Sequence, residues 1–318
     1  MEIIRVGSRD CARVAGVSVT ALGFFDGVHL GHRRLFDATL AEAARRGDGA
    51  APAVFTFSDD LRQIKPGAAR LTDFETKLRL LGEAGIRRVY VADFPSVMGL
   101  SPESFVSQIL VQQCKTVFAV CGFNFRFGSG ASGDALLLRA LMLEAGADAE
   151  VIPPAYLGGS VISSSAIRAA IEAGDMPHAT AMLGRPFSLT APVLHGRGYG
   201  QSEGVPTVNQ VFAESGILPR SGVYACRARL SDGTALSAVA NVGACPTFGE
   251  KGEIHCETHL IGYRGDLYGK TLTVEFLYYL RPEKRFDSVG ELYAQIGCDI
   301  AMARALTASG SADGEGIC

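Results

Sequence analysis

The sequence predicts an α/β domain followed by an all-β domain, and three observations carry that expectation. Over residues 1–185, short β-branched and aromatic runs alternate with stretches of helical periodicity. Over residues 186–318 the alternation gives way to strands separated by turn residues. The length, 318 residues, suits about two domains. The domains are therefore expected at 1–185 and 186–318.

In the first domain, Met1–Val6 reads as an opening strand and Val17–Leu22 as an apolar second one. A glycine-bearing loop over 23–32 follows, with a helix from Arg33. Pro52–Phe57, Arg88–Ala92 and Thr116–Val120 are further strands, bounded by turn residues. Helical periodicity covers 73–84, 102–113 and 134–145. This alternation implies a parallel sheet covered on both faces. Ligands in such sheets lie beyond the carboxyl ends of the strands, where the 23–32 loop falls.

In the second domain, Leu189–Leu194, Val223–Ala228, Leu236–Ala240, Glu257–Leu260 and Leu272–Phe276 read as strands. Ser231–Thr234 is a hairpin turn between two of them. An amphipathic helix over 288–306 closes a small barrel or sandwich. The stretch 309–316, rich in Gly and Ser, reads as a frayed tail.

Composition narrows the function classes. A chain 47% hydrophobic and 20% charged has an ample core. Its net charge of -3 argues against a general nucleic-acid surface. No apolar run approaches the about 20 residues that span a bilayer, and Met1–Val6 lacks the apolar core of a signal peptide. The eight cysteines form no Cys-x-x-Cys pair and suit the reduced core of a cytoplasmic protein.

Four groups of residues carry chemistry. Gly23-Phe24-Phe25-Asp26-Gly27-Val28-His29-Leu30-Gly31-His32 joins a strand to a helix start. Unpaired N–H groups and partial positive charge there favour an anion, and glycines admit a ligand close to the backbone. Two imidazoles three positions apart can both donate to a phosphoryl group. A surface turn and a zinc site are the competing accounts; for zinc, no cysteine or carboxylate cluster nearby completes a set of four ligands. Ile162-Ser163-Ser164-Ser165-Ala166-Ile167-Arg168 opens a helix with three hydroxyls and a same-face arginine, more than an N-cap requires and suited to phosphates. Gly122–Gly128 adds a polar loop in which Asn124 is the expected nucleotide contact.

The fourth group lies in the second half. Pro206 precedes Thr207 and Asn209, two oxygen-bearing side chains at alternate positions that suit a Mg²⁺ ion and its phosphates; a turn beside a buried Asn is the plainer alternative. Backbone N–H groups of Gly196–Gly200 suit phosphate. Glu257, in an otherwise apolar strand, reads either as a general base for a substrate hydroxyl or as half of a salt bridge. His255 and His259 read as structural.

The His-x-Gly-His string resembles the signature of nucleotidyltransferases, and the ordered set of motifs resembles the bacterial bifunctional riboflavin kinase/FAD synthetase family. The matching segments are Gly23–His32, Thr56-Phe57, Gly122–Gly128 and Ile162–Arg168, then Leu183–Phe187, Gly204–Asn209, Gly222–Tyr224, Asn241–Gly243 with Pro246–Phe248, Glu257–His259 and Leu267–Lys270. Together they span roughly residues 3–305. The resemblance implies a Rossmann-like nucleotidyltransferase sheet with flanking helices, then a riboflavin-kinase-type β-barrel closed by a helix.

It also implies two ATP-dependent steps with Mg²⁺, riboflavin to FMN and FMN to FAD. Glu257 is then the kinase base, with Thr207 and Asn209 on the metal. His29, His32, Ser164 and Arg168 act on the α-phosphate and pyrophosphate, and Gly23, Phe25, Asp26, Gly31, Asn124, Ser163, Gly196 and Gly200 line the nucleotide. The partners are small molecules, with neither nucleic acid nor membrane, and an oligomer is allowed. The chain departs from the family at Gln201 (commonly Arg), Val205 (commonly Phe), Ser58–Arg62 (usually His-Pro-containing) and Asn124 (frequently Asp). These departures keep two alternatives open, a monofunctional adenylyltransferase with a weakened kinase module and a non-catalytic flavin-binding regulator.

Overall fold

A computed structural model describes residues 1–7, 14–58, 69–194, 205–212, 216–244 and 254–309. The chain divides into two compact units, Met1–Ser164 and Ser165–Cys318.

In the first unit, β1 (Glu2–Val6), β2 (Ser18–Leu22), β3 (Ala51–Phe57), β4 (Arg88–Ala92), β5 (Thr116–Gly122) and β8 (Asp148–Ile152) form one sheet in the order β1-β4-β3-β2-β5-β8. Every pairing in it is parallel. Two two-stranded ribbons, β6 (Arg126–Phe127) with β7 (Gly133–Asp134) and β9 (Tyr156–Leu157) with β10 (Ser160–Val161), are the unit's other strands among the described residues.

Side chains alternate across the sheet as period two requires. Val19, Ala21, Val54, Val89 and Val91 face a core with helices α1 (Leu30–Arg46) and α2 (Phe74–Glu83). Leu22, Ala53, Phe55, Tyr90 and Cys121 face the opposite core with Phe105, Leu110 and α3 (Ala135–Glu144). The sheet is thus buried on both faces, which accounts for its strands reading as near-continuous apolar runs.

The expected helix over 102–113 is present in a different form. Pro102–Ser104 is α-helical behind a Ser101 cap, and Phe105–Gln113 is wound as a π-helix, ending with Cys114 N–H donating to the Ile109 carbonyl at 2.9 Å. Strand β8 is an addition to the expected set: two carboxylates in Asp148–Ile152 mask a strand that pairs only with β5, at the edge of the sheet.

The second unit opens with α4 (Ser164–Ala173, its first residue closing the preceding unit) and α5 (Met176–Leu183). Strands β11 (Phe187–Pro192), β12 (Val208–Phe212), β13 (Gly222–Leu230), β14 (Ala235–Ala244), β15 (Ile254–Leu260) and β16 (Thr271–Arg281) follow in the antiparallel order β11-β16-β13-β14-β15-β12. A bridge between Leu194 and Asn209 ties the end of the β11 segment to β12, so the first and last strands of the order meet and the sheet closes towards a barrel. Buried Gln210 reinforces that seam, its Nε2 donating to the carbonyls of Ala191 and Leu272.

The 231–234 turn joins β13 to β14, with Gly233 at φ 89° in the left-handed region. Helix α6 (Val289–Ser309) packs on β13 and β14. The units divide earlier than 185/186 because α5 packs on β11 and β16 and so belongs with the barrel. Of the tail over 309–316, residues 310–316 lie outside the described residues.

Candidate functional site

The first unit places its polar loop where the strand order reverses. Strand β2 has β3 on one side and β5 on the other, and such a switch point opens a crevice beyond the strand ends. The loop leaves β2 there and turns into α1.

His29 is the N-cap of α1, in extended conformation at φ -82° and ψ 173°. Its Nδ1 accepts the backbone N–H of His32 at 3.3 Å, and the Nδ1 of His32 accepts the backbone N–H of His29 at 3.4 Å. This is a capping box built from two imidazoles. The rings stack at 3.5 Å with planes 18° apart. A nitrogen that accepts a hydrogen bond carries no proton, so in each neutral ring the proton sits on Nε2. The cap therefore fixes two parallel rings in one tautomer, each with a single N–H donor, beside the positive end of a helix.

Packing holds this arrangement from beneath. Phe25 is buried, meets His32 edge-to-face at 5.2 Å and packs on Phe36 at 5.0 Å. Its φ of 57° and that of Val28, 42°, lie in the left-handed region that side chains avoid, most of all a β-branched one. The surrounding contacts thus sustain a strained turn at the site. Gly23 and Gly31 sit in tight space: a Cβ would stand 2.9 Å from Phe25 Cζ and 3.0 Å from His29 Cε1, respectively, so that a side chain at either position would press on these rings.

Asp26, expected at the nucleotide, is 4% exposed, and its carboxylate accepts the backbone N–H groups of Leu71 and Thr72 at 3.0–3.3 Å. It anchors the loop to the start of the next segment. The Ser164 hydroxyl donates to the Asp26 carbonyl at 3.1 Å, bringing the serine run to the histidine loop. Ser163 immediately precedes it in the chain. Arg168 is buried one turn further along α4, in the second unit by the division above. Asn124 is exposed after β5, while Phe127 is buried and Phe125 stacks on it at 5.6 Å.

Lys77 carries no signal in the sequence, yet it stands at this end of the sheet. It is 3% exposed on α2, with Nζ donating to the Phe57 carbonyl at 3.2 Å and to the Phe24 carbonyl and Thr56 hydroxyl at 3.4 Å. The ammonium also lies 4.7 Å from the Phe24 ring centre. It ties the ends of β2 and β3 together. Its helical context conceals it, because a lysine on an amphipathic helix ordinarily reads as solvated.

In the second unit, strand register assembles the polar residues. Asn209 on β12 lies opposite Glu257 on β15, and Glu257 lies opposite Asn241 on β14. Residues directly opposite in antiparallel strands share a face, so the three form one row. Glu257 is exposed and makes no ion pair among the described residues. His259 holds the segment that leads into Thr207, its Nδ1 donating to the Pro206 carbonyl at 2.8 Å. Pro206, Thr207, Leu260, Arg264 and Tyr268 line a cavity of about 390 Å³, a size suited to a small ligand.

Among the described residues no group of three or more His, Cys, Asp or Glu side chains is placed to hold a metal ion. Thr207 and Asn209 stand two positions apart on the segment that enters β12. Gly196, Gly200, Gln201, Asp59–Arg62 and Pro246–Phe248 lie outside the described residues. No described helix is long and apolar enough to cross a membrane.

Two family models match the chain, FAD synthetase over residues 12–166 and riboflavin kinase over 183–307. Curated relatives named bifunctional riboflavin kinase/FMN adenylyltransferase include that of Escherichia coli K12, 36% identical over 90% of this chain and 91% of the relative. Those of Pseudomonas fluorescens (35%, covering 91% and 93%) and Bacillus subtilis 168 (33%, covering 89% and 90%) are similar. A solved structure named macrolide-efflux protein, from Streptococcus pneumoniae, superposes with a TM-score of 0.84 at 27% identity, over 96% of this chain and 99% of that one.

Proposed function

The chain belongs to the bifunctional riboflavin kinase/FMN adenylyltransferase family, and from that premise we propose which of its residues carry the two reactions. The enzyme phosphorylates riboflavin with ATP to FMN and adenylylates FMN with a second ATP to FAD and pyrophosphate. A divalent metal serves such ATP-dependent chemistry; we assign it as Mg²⁺.

In the kinase half, Glu257 takes the proton from the flavin 5′-hydroxyl as that oxygen attacks the γ-phosphorus of ATP and the bond to ADP breaks. Thr207 and Asn209 hold the cation and phosphate oxygens, and a divalent ion there would offset the phosphate charge. Phosphate contacts from Gly196 and Gly200 complete this assignment. In the other half, the FMN phosphate oxygen attacks the α-phosphorus of ATP and pyrophosphate leaves. The Nε2–H groups of His29 and His32 donate to the α-phosphoryl oxygens as charge grows there. Ser163, Ser164 and Arg168 hold the pyrophosphate, and Asn124 contacts the nucleotide. Gly23 and Gly31 leave room for it, and Phe25 and Asp26 position the loop.

The observation that carries the adenylyltransferase assignment is the reciprocal cap of His29 and His32, which fixes two donors in one tautomer at a helix N-terminus. Incubating the protein with riboflavin, ATP and Mg²⁺ and separating flavins by chromatography tests the whole assignment. FMN and FAD are both expected from the native chain. Glu257→Ala is expected to make neither from riboflavin, yet to convert supplied FMN to FAD. Undiminished FMN formation by that variant would remove Glu257 as the base.

A further inference from the structure

We propose that Tyr279, a barrel residue, is a positioning residue for adenylyl transfer: its ring seats the end of the helix that carries Arg168. The proposal deepens the assignment of Arg168 to the pyrophosphate above and rests on it.

Arg168 lies on α4 with Ile167, Ala170 and Ile171 buried beside it. A guanidinium that must meet a leaving group is only as well placed as the helix beneath it, so whatever fixes α4 bears on the reaction. The helix ends in a Schellman motif. Asp175 N–H donates to the Ala170 carbonyl at 2.8 Å, and Gly174 N–H donates to that of Ile171 at 3.0 Å. Gly174 takes the left-handed turn, φ 81°, that this ending requires.

The helix end rests on an aromatic ring. A Cβ on Gly174 would stand 3.3 Å from Tyr279 Cγ and Cδ2, so the bare glycine backbone lies against that ring. The barrel holds the ring in turn. Gly222, which opens β13, leaves it room, since a Cβ there would stand 2.6 Å from Tyr279 Cε2. Tyr224 meets it edge-to-face at 5.2 Å, and the Arg220 guanidinium lies over it at 5.1 Å. Arg220 also reaches the helix directly, its backbone N–H donating to the Ile171 carbonyl at 3.4 Å. The carbonyl of Arg220 accepts the hydroxyl of buried Tyr224.

These contacts stand apart from the candidate kinase residues. Tyr279 pairs with Tyr224, whose row runs through Ala240 to Thr258. Thr258 is the chain neighbour of Glu257, so the two rows present opposite faces of the sheet. A change at Tyr279 should therefore register in the reaction that uses Arg168 and spare the one that uses Glu257.

Separate assays of riboflavin-to-FMN and FMN-to-FAD conversion by the full chain test this. Tyr279→Ala is expected to lower kcat/KM for FMN-to-FAD conversion about tenfold; a displacement of about 1 Å at a reacting site costs up to about a hundredfold. The pyrophosphate concentration that half-inhibits the reaction should rise by a similar factor, with riboflavin phosphorylation retained. Tyr279→Phe, which keeps the ring, should retain both activities. Gly174→Ala disturbs the same contact from the helix side, leaves the barrel residues as they are, and should show the same selective loss. In an Arg168→Ala background, Tyr279→Ala should cost nothing further.

Undiminished FAD formation in both Tyr279→Ala and Gly174→Ala, an equal loss in the two assays, or a full additional loss in the Arg168→Ala background would overturn the proposal. Undiminished FAD formation in Arg168→Ala removes the pyrophosphate assignment instead. The seat and the assignment thus fail in different variants.

Discussion

The two units build their proposed phosphate sites by different means. The first builds its site from neighbours in sequence: His29 and His32 cap their own helix, and Gly23, Phe25 and Gly31 lie within the same turn. The second builds from register: Asn209, Glu257 and Asn241 come from three strands and meet only because β12, β15 and β14 pair as they do. A local site depends on capping and backbone strain. A register site depends on the whole sheet, because a slip of one residue would send each side chain to the other face.

The largest test of this contrast removes the local pair. His29→Ala with His32→Ala is expected to cut FMN-to-FAD conversion by about two to three orders of magnitude, the scale for oriented donors on a developing charge. Losing the cap should also cost about 1 kcal/mol of stability. Riboflavin phosphorylation should persist, as flavin chromatography would show. Persistent FAD synthesis would take the histidines out of the reaction.

A smaller and sharper test uses glycines. Gly23→Ala puts a Cβ 2.9 Å from Phe25, and Gly243→Ala puts one 2.5 Å from Glu283. At Gly23 the neighbour is a buried ring, where overpacking costs about 1–3 kcal/mol; at Gly243 it is the end of an exposed, flexible glutamate that can swing aside at little cost. The first should lower only FAD formation from FMN, and the second should leave both products nearly unchanged. Loss of FMN formation in the first would show that the histidine loop also serves the kinase.

The smallest effect concerns what the units share. Burial pushes the thiols of Cys121, in the first unit, and Cys256, in the second, up to about 12 from the usual 9.0. A thiol raised on folding contributes stability that is complete below pH 9 and fades as pH rises towards 12. Melting temperatures should therefore fall above pH 9. The fall should be shallower in a Cys121→Ala, Cys256→Ala variant once each curve is referred to its own value at pH 8. An identical fall would mean that the two thiols titrate alike in the folded and unfolded chains.

The first fold is legible because its signals are short-range. Val19, Val54 and Val89 sit in β-branched runs that read directly as strands, and the loop after β2 carries its own glycines. The edge strand β8 escapes because its carboxylates break the apolar run. Lys77 escapes because burial of a lysine is decided by what folds over it. In the barrel five of the six strands are legible, β12 (Val208–Phe212) and the strand order are not, and His259 reads as inert because its partner, Pro206, is distant in sequence.

By itself the sequence determined the two domain classes and marked the histidine loop, Glu257, Thr207 and Asn209 as candidate polar sites. Those follow from periodicity, turn chemistry and residue type, which act over a few positions. Only the tertiary structure decided that the two imidazoles are locked in one tautomer, that Asp26 anchors a loop, and that Asn241 stands opposite Glu257. Each of these depends on a hydrogen bond or a strand pairing, whose geometry exists only once the chain has folded.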